Sequence, residues 1–247
     1  MTPPDRLPVA VVIPAKDEGA RIAATVGAAG QLDGIELVVV VDDGSADDTA
    51  AIARASGALV VHHQANRGKA AAMVTGAEAA AERLPEAHLV LFLDADLEDS
   101  AAELGVLVPP VASGEADMSI AILPPQRTPG GGHGFVVRLA RRGIEDLTGW
   151  VPTQPLSGMR CLSRTAYLAA QPFARGWGVE VGLTVDVLLA GLRVVEIPCD
   201  LHHRVTGSDW HGQLHRARQY RDVGRALVQR RLARALTEGR LARDGRR

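Results

Sequence analysis

Four short apolar runs in the first 100 residues most strongly constrain how this chain can fold. Each is continuous and rich in Val, Leu or Ile, and together they occupy Val9–Ala15, Glu36–Asp43, Ala58–His63 and His88–Asp96. Continuous apolar runs are expected of strands that are covered on both faces. Ala-rich segments of helical length lie between them, at residues 19–30, 45–57 and 68–84. The alternation predicts an α/β fold with a mostly parallel sheet, flanked by helices and joined by right-handed crossovers.

The second half of the chain is less regular, but it continues the same pattern. Further strands are predicted at residues 116–123, 157–163 and 192–199, and helices at 135–147 and 179–192. From Gly212 onward the chain carries eleven Arg against three acidic residues, and its apolar positions recur at helical spacing. We therefore predict one domain over residues 1–211 and an Arg-rich amphipathic helical tail over residues 212–247.

Composition narrows the class of protein. Apolar residues make up 47% and charged residues 23%, which is ordinary for a soluble globular protein. A signal peptide, a membrane-spanning run and a Cys-x-x-Cys pair are all missing from the sequence, so a cytoplasmic location is expected. Aromatic residues make up only 3%, which argues against a nucleic-acid partner because such surfaces use stacking rings. Lys16 and Lys69 are the only lysines among 27 basic residues, so each is a candidate for a place that needs a compact charge.

Polar clusters follow the predicted strands at residues 14–18, 42–45, 66–69 and 94–96. In parallel α/β sheets, ligands bind at the carboxyl ends of the strands, so these clusters are expected to share one site. Neither a G-x-G-x-x-G sequence nor a P-loop is present. Asp94 and Asp96 close a buried strand, where carboxylates need a cation, donors or water. Because Mg²⁺ or Mn²⁺ takes carboxylate and phosphate oxygens, and Lys69 would add charge, we predict a nucleotide diphosphate site.

The order and spacing of these motifs resemble a known enzyme family. "VVIPAKDEGARIAATV", "VVVVDDGSADDT", "NRGKAAAM" and "LFLDADL" resemble the nucleotide-sugar half of a GT-A glycosyltransferase of the family 2 type. "QPLSGMRCLSR", "PFARGWGVEVGLTVD" and "LHHR" are similar to glucosyl-3-phosphoglycerate synthases and their relatives. The resemblance covers nearly all of residues 8–215. It implies a metal-dependent hexosyltransferase that uses a nucleotide diphosphate sugar, most simply UDP-glucose with Mg²⁺ or Mn²⁺. The bias to Arg over Lys and the high Ala content separately suggest a bacterial genome of high GC content.

The resemblance also implies roles for individual residues. Eight residues would contact the nucleoside, base, diphosphate or sugar of the donor: Pro14, Ala15, Glu18, Asp42, Asp43, Ser45, Lys69 and Asp94. Asp96 of the DxD motif would bind the metal and so act in catalysis, and His203, rather than His202, would complete the metal site. Glu180 would act on the acceptor side. It would be the general base in inverting relatives and a positioning group in retaining ones, so the stereochemical outcome stays open.

Two departures from the synthase pattern concern the acceptor. The relatives carry a Gly-Arg-Val-Thr run that holds the acceptor phosphate and an Asn soon after the metal His, where this chain has Gly132-His133-Gly134-Phe135 and Val205. The loss of an Arg weakens an anion pocket, so we expect an acceptor other than 3-phosphoglycerate.

Three further hypotheses stay open at this point. The same donor chemistry could act on a polyprenyl phosphate, with the basic tail docked on an anionic membrane surface. The α/β body could instead be a non-catalytic scaffold for an RNA- or protein-binding tail. A homodimer is also compatible with the sequence.

Overall fold

The computed structural model describes residues 7–124, 134–199 and 210–244, with side chains over 217–236 in the last of these segments. Within these ranges, seven strands form one sheet in the spatial order β3-β2-β1-β4-β6-β5-β7. Their bounds are β1 Val9–Ala15, β2 Ile35–Asp42, β3 Leu59–His62, β4 Leu89–Phe92, β5 Met118–Ile122, β6 Arg160–Leu162 and β7 Val194–Pro198.

Strand pairing brings four carboxyl ends to one edge of the sheet. β1 lies at the centre of its half and pairs in parallel with β2 and with β4, and β2 pairs in parallel with β3. β6 runs antiparallel between β4 and β5, and β7 returns parallel to β5. The mostly parallel α/β sheet predicted from the apolar runs is therefore confirmed.

Helices cover both faces of this sheet. They are α1 Ile22–Gly30, α2 Thr49–Ala55, α3 Lys69–Ala81, α4 Val108–Ala112, α5 Phe135–Thr148, α6 Arg164–Ala169, α7 Val179–Leu189 and α8 Trp210–Asp244, with 3-10 turns at Glu98–Leu107 and Gly176–Gly178. One core layer joins the sheet to α1, α2 and the Glu98–Leu107 turn, and the other joins it to α3, α6 and α7. β1 contributes alternate residues to both layers, which explains why its sequence is apolar throughout.

The last helix packs on the outside of this domain. Val223 and Leu227 of α8 are buried against α5 and α7. The fit is close, because a Cβ added at Gly143 of α5 would lie 2.3 Å from Cδ1 of Leu227. Four other apolar residues of α8 stay exposed, namely Tyr220, Val228, Leu232 and Leu236. Among the helices within the described ranges, none is both long enough and apolar enough to cross a membrane.

Two element boundaries differ from the sequence-based expectation by four residues, more than the other boundaries within the described ranges, and both lie at the carboxyl edge of the sheet. β4 ends at Phe92 rather than at Asp96, because the chain turns away and the carbonyl of Ala95 accepts a hydrogen bond from Thr25 Oγ1 of α1 at 2.9 Å. α2 begins at Thr49 rather than at Ser45. Residues 43–48 thus form a loop that lies beside the end of β1.

Candidate active site

The loop after β1 is held against the loop after β2 by backbone N–H groups. Asp17 has a φ of +56°, an uncommon left-handed conformation for a residue other than glycine. Its N–H donates to Ser45 Oγ at 2.9 Å, and its carboxylate accepts from the N–H of Ala46 at 2.7 Å. The next N–H, of Glu18, donates to Thr49 Oγ1 at 2.9 Å. Ser45, expected near the base, therefore lies beside the predicted nucleoside segment at the end of β1.

Asp42 and Asp43 are both buried, and the oxygens of both accept hydrogen bonds within the protein. Asp42 accepts from the N–H of Ser45 at 3.0 Å and lies 2.8 Å from Nδ1 of His62. Pro14 and Ala15 pair with β2 directly beside them, with Ala15 opposite Asp42. Asp42 thus holds in place the end of β2, next to the β1 residues for which the family resemblance implies contact with the nucleoside.

Asp43 anchors the loop that leads into α3. It accepts from the N–H groups of Arg67 and Gly68 at 2.8 and 2.7 Å, and its Oδ1 lies 2.7 Å from Nδ1 of His63. Burial would raise the pKa of Asp43, but these hydrogen bonds outweigh it and lower the pKa below its ordinary value. His63 is also buried, and its Nε2 lies 3.0 Å from Thr75 Oγ1. Asp43 therefore holds Gly68, the residue directly before α3 starts at Lys69.

Lys69 lies between two carboxylates that come from distant parts of the chain. Its Nζ lies 2.8 Å from Oδ1 of Asp94 and 3.1 Å from Oε1 of Glu180. Asp94 follows β4, and Glu180 lies in the first turn of α7, where the helix dipole favours a negative charge. The strand pattern predicts that Lys69 and Asp94 lie at one edge, but it does not indicate that Glu180 contacts the same lysine.

The charge of this cluster is stabilised from both sides. Burial alone would lower the pKa of Lys69, but the negative charges of Asp94 and Glu180 outweigh it and raise the pKa above its ordinary value. Side-chain exposure decreases from 31% at Asp94 and 24% at Lys69 to 6% at Glu180. The ammonium is thus positively charged and fixed in place at the end of a partly exposed side chain, which suits it to bind an anionic ligand.

Asp96 lies on the other side of the edge. Its side chain is partly buried and makes no hydrogen bond or ion pair within the part of the chain that the structure describes. It lies close enough to Glu18 and Arg21 to raise the pKa of both. Arg21 is itself paired with Glu18, at 2.9 Å from Nε. Burial raises the pKa of Glu18 above its ordinary value, against the effect of that pair.

The donor atoms at this edge suit a hard divalent cation. Asp96 offers carboxylate oxygens that the protein leaves available, and such a cation commonly takes one or two carboxylates with substrate phosphates. A cluster of three or more metal-ligating side chains does not occur among the described residues. His203, the predicted second ligand, lies outside the described residues, as do Gly132 and His133 of the acceptor-side loop. The described residues therefore fit a site completed by a substrate diphosphate.

Two features of the site, the close approach of Gly158 and the burial of Arg160, are not indicated by any local sequence pattern. Gly158 lies directly against the lysine cluster, since a Cβ added there would lie 2.5 Å from Nζ of Lys69 and 3.0 Å from Oδ1 of Asp94. Arg160, two residues later, is fully buried. The motif "SGMR" was noticed only as part of the family resemblance, and no local pattern distinguishes a buried arginine from an exposed one.

Comparison with known proteins agrees with this arrangement. The family model described as "Glycosyl transferase family 2" matches residues 10–139. An uncharacterized protein of Methanocaldococcus jannaschii is 31% identical over 194 residues, which are 76% of this chain and 79% of that protein. Glucosyl-3-phosphoglycerate synthase of Mycobacterium tuberculosis is 33% identical over 198 residues, 72% of this chain. The match spans 60% of the length of that synthase.

Solved structures of the mycobacterial synthase have a similar fold. One, in complex with Mn²⁺, UDP and glucosyl-3-phosphoglycerate, has a TM-score of 0.69 at 29% identity and covers 92% of this chain and 80% of its own. Another, with Mn²⁺, UDP-glucose and glycerol 3-phosphate, has the same TM-score and coverage at 31% identity. The sheet, the motif series along its carboxyl edge and these matches together show that the chain belongs to glycosyl transferase family 2 and is a glycosyltransferase of GT-A fold.

Proposed function

We propose that the protein transfers a hexose, most simply glucose, from a UDP-sugar to a small-molecule acceptor in a reaction that requires Mg²⁺ or Mn²⁺. The observation that carries the proposal is the position of Lys69, a charged and partly exposed side chain at the carboxyl edge of the sheet. UDP-glucose and Mn²⁺ are bound by the similar mycobacterial synthase.

Lys69 is suited to bind the diphosphate of the donor. An ammonium has three N–H donors, and Asp94 and Glu180 account for two of them, which leaves one for a phosphate oxygen. Because both carboxylates hold Nζ in place, little side-chain entropy is lost when the diphosphate binds. The nucleoside would then lie along Pro14, Ala15 and the loop after β2.

Asp96 would hold the metal together with the diphosphate, and His203 is the second ligand that we propose. When bound, Mg²⁺ or Mn²⁺ supplies Lewis-acid stabilisation of the departing diphosphate. Asp96 suits this role because its carboxylate is not engaged by the described residues, in contrast to Asp42 and Asp43.

Glu180 and Asp94 would form the sugar side of the site. Glu180 contributes one oxygen to Lys69, so its remaining lone pairs can accept hydrogen bonds from sugar or acceptor hydroxyl groups, and Asp94 holds the same ammonium from the other side. The two carboxylates would thus orient the sugar while Lys69 orients the phosphates.

The experiment that tests the proposal is calorimetric titration of the full chain with UDP-glucose, with Mn²⁺ or with EDTA. We expect binding that requires the metal and is lost in Asp96→Ala. Asp99→Ala is the matched control, because Asp99 is an exposed carboxylate three residues away, in a 3-10 turn. UDP-glucose hydrolysis, followed as UDP release, should show the same metal requirement.

The donor class would be wrong if neither UDP-glucose nor UDP bound with any metal. A panel with GDP-mannose and other nucleotide sugars would then show whether the base or the sugar had been misassigned. Equal loss of binding in Asp96→Ala and Asp99→Ala would refute the role of Asp96.

A further inference from the structure

Arg160 is the first residue of β6 and one of the largest fully buried side chains of the protein. Burying a guanidinium is costly unless its donors are satisfied. Within the described ranges no carboxylate lies within ion-pair distance of Arg160, and its partners are three neutral oxygen atoms and, at 4.0 Å from Nη1, the sulfur of Met118. Burial lowers the pKa of Arg160 to about 10, while the charge of Glu180 acts against this effect. Such an arrangement needs a reason beyond simple core packing.

One side of the guanidinium is connected to the turn that carries Glu180. Nη1 of Arg160 donates to Oγ1 of Thr184 at 2.8 Å, and Oγ1 of Thr184 donates to the carbonyl of Glu180 at 3.0 Å. Thr184 is itself fully buried, so water does not compete for these bonds. Arg160 therefore fixes the first turn of α7 from behind.

The other side of the guanidinium holds the segment that ends at Gly158. Nε of Arg160 donates to the carbonyl of Ser157 at 2.8 Å, and Nη2 donates to the carbonyl of Pro155 at 3.4 Å. Gly158 follows directly and lies against Nζ of Lys69 and the carboxylate of Asp94. One buried side chain thus braces two neighbours of the lysine cluster, the Glu180 turn and the Gly158 segment.

Arg160 also adds a positive charge behind the cluster. The negative charges of Glu180 and Glu196 act on its guanidinium and oppose the effect of burial on its pKa. Without Arg160 one positive charge would be lost behind Glu180, near the place where a diphosphate has to bind, and like charges in a partly buried site repel.

We propose that Arg160 is a positioning residue of the transfer reaction, which aligns Glu180 and the Gly158 segment around Lys69 without touching the substrate. The inference rests on the proposed function, because it assigns Glu180 and Lys69 to the donor site. It extends that function to Arg160, a buried residue of β6 that contacts α7 through Thr184.

Three variants separate the contributions of Arg160. Thr184→Val breaks the connection to Glu180 and keeps every charge. Arg160→Lys keeps the charge but loses the planar fork that reaches both sides. Arg160→Met removes both. Thr148→Val is the matched control for Thr184→Val, because Thr148 Oγ1 makes the same kind of hydrogen bond to a helix carbonyl, that of Ile144 at 2.7 Å, in α5.

The readouts are kcat and KM for UDP release from UDP-glucose, UDP affinity by calorimetry, and the thermal midpoint. A lost hydrogen bond is worth about 1 kcal/mol, so Thr184→Val and Arg160→Lys should lower kcat roughly 5- to 10-fold with UDP affinity within about twofold of wild type. Arg160→Met should also weaken UDP binding, because a positive charge behind the site is lost. Thr148→Val should leave kcat and UDP affinity unchanged.

Wild-type kcat in well-folded Thr184→Val and Arg160→Lys would overturn the inference, even if Arg160→Met fails to fold. A decrease in kcat that only follows the folded fraction, measured by the thermal midpoint, would also overturn it. If wild type itself neither binds UDP nor releases it from UDP-glucose, the proposed function fails and the inference fails with it. These outcomes are distinguished by measuring wild type first.

Discussion

Replacing Lys69 with methionine removes the positive charge that Asp94 and Glu180 share, while it keeps most of the apolar stem of the side chain. The two carboxylates would then face each other without the ammonium that now lies 2.8 and 3.1 Å from them. We expect Lys69→Met to be less stable than wild type and to bind UDP more weakly.

The magnitude follows from the exposure of the cluster. Breaking a fully buried ion pair by removing one partner costs about 3–5 kcal/mol, whereas an exposed pair is worth about 0.2–1 kcal/mol. Lys69 is 24% exposed and Glu180 is 6% exposed, so the cluster lies between these limits. We expect a loss of about 2 kcal/mol in the free energy of unfolding, with an unchanged m-value. Loss of a charge-assisted hydrogen bond to the diphosphate, worth about 1.5–3 kcal/mol, should weaken UDP roughly 10- to 100-fold.

The assays are urea denaturation and calorimetric titration with UDP and Mn²⁺. Lys16→Met is the matched control, because the other lysine of the chain lies at the same edge but forms an exposed pair with Asp17. The pKa of Lys69 is raised above its unfolded value of 10.5, so its contribution is fully present below that pH and is lost as pH rises through the folded value. The difference between wild type and Lys69→Met should therefore be constant from about pH 7 to about pH 9.

The reasoning would be refuted if Lys69→Met matched Lys16→Met in both stability and UDP affinity. It would also be refuted if the stability difference changed between those two pH values, because Lys69 stays protonated throughout that range.

Three further predictions concern residues around the site and the last helix. Asp43→Asn should lower the free energy of unfolding by about 2 kcal/mol in urea denaturation, because buried donors lose their acceptor. The pKa of Asp43 is lowered from 3.8 in the folded protein, so the stability difference between wild type and Asp43→Asn should shrink as pH falls below that value. Gly143→Ala should cost about 1–3 kcal/mol by overpacking Leu227, whereas Gly224→Ala, in open space on α8, should not destabilise the protein in the same assay. Gly158→Ala should weaken UDP binding in calorimetry, since its Cβ would displace Lys69 Nζ.

Much of the fold of the first 100 residues was predictable from the sequence. β1 was predicted from Val9 to Ala15 with the bounds observed, because a strand covered on both faces leaves a continuous apolar run. Because the carboxyl ends of parallel strands lie at one edge of a sheet, Lys69 and Asp94 were expected to lie near each other, and they are in contact. Local composition was sufficient here because strand order follows from short right-handed crossovers.

The contacts that shape the site were not predictable in the same way. Glu180 reaches Lys69 only because α7 packs beside β6, and β6 runs antiparallel to its neighbours, a reversal that no local pattern indicated. The 3-10 turn from Glu98 to Leu107 and α6 were also missed, since both are short and lack strong periodicity. Arg160 was missed for the opposite reason. A charged residue is usually exposed, and only its tertiary partners make burial tolerable.

The central claim is that the donor diphosphate lies between Lys69 and a metal held by Asp96. A crystal structure of the full chain with UDP and Mn²⁺, recorded with manganese anomalous scattering, tests it most directly. We expect one anomalous peak about 2.1 Å from a carboxylate oxygen of Asp96 and a diphosphate oxygen within hydrogen-bond distance of Lys69 Nζ. An anomalous peak away from Asp96, or a diphosphate bound out of reach of Lys69, would contradict the account.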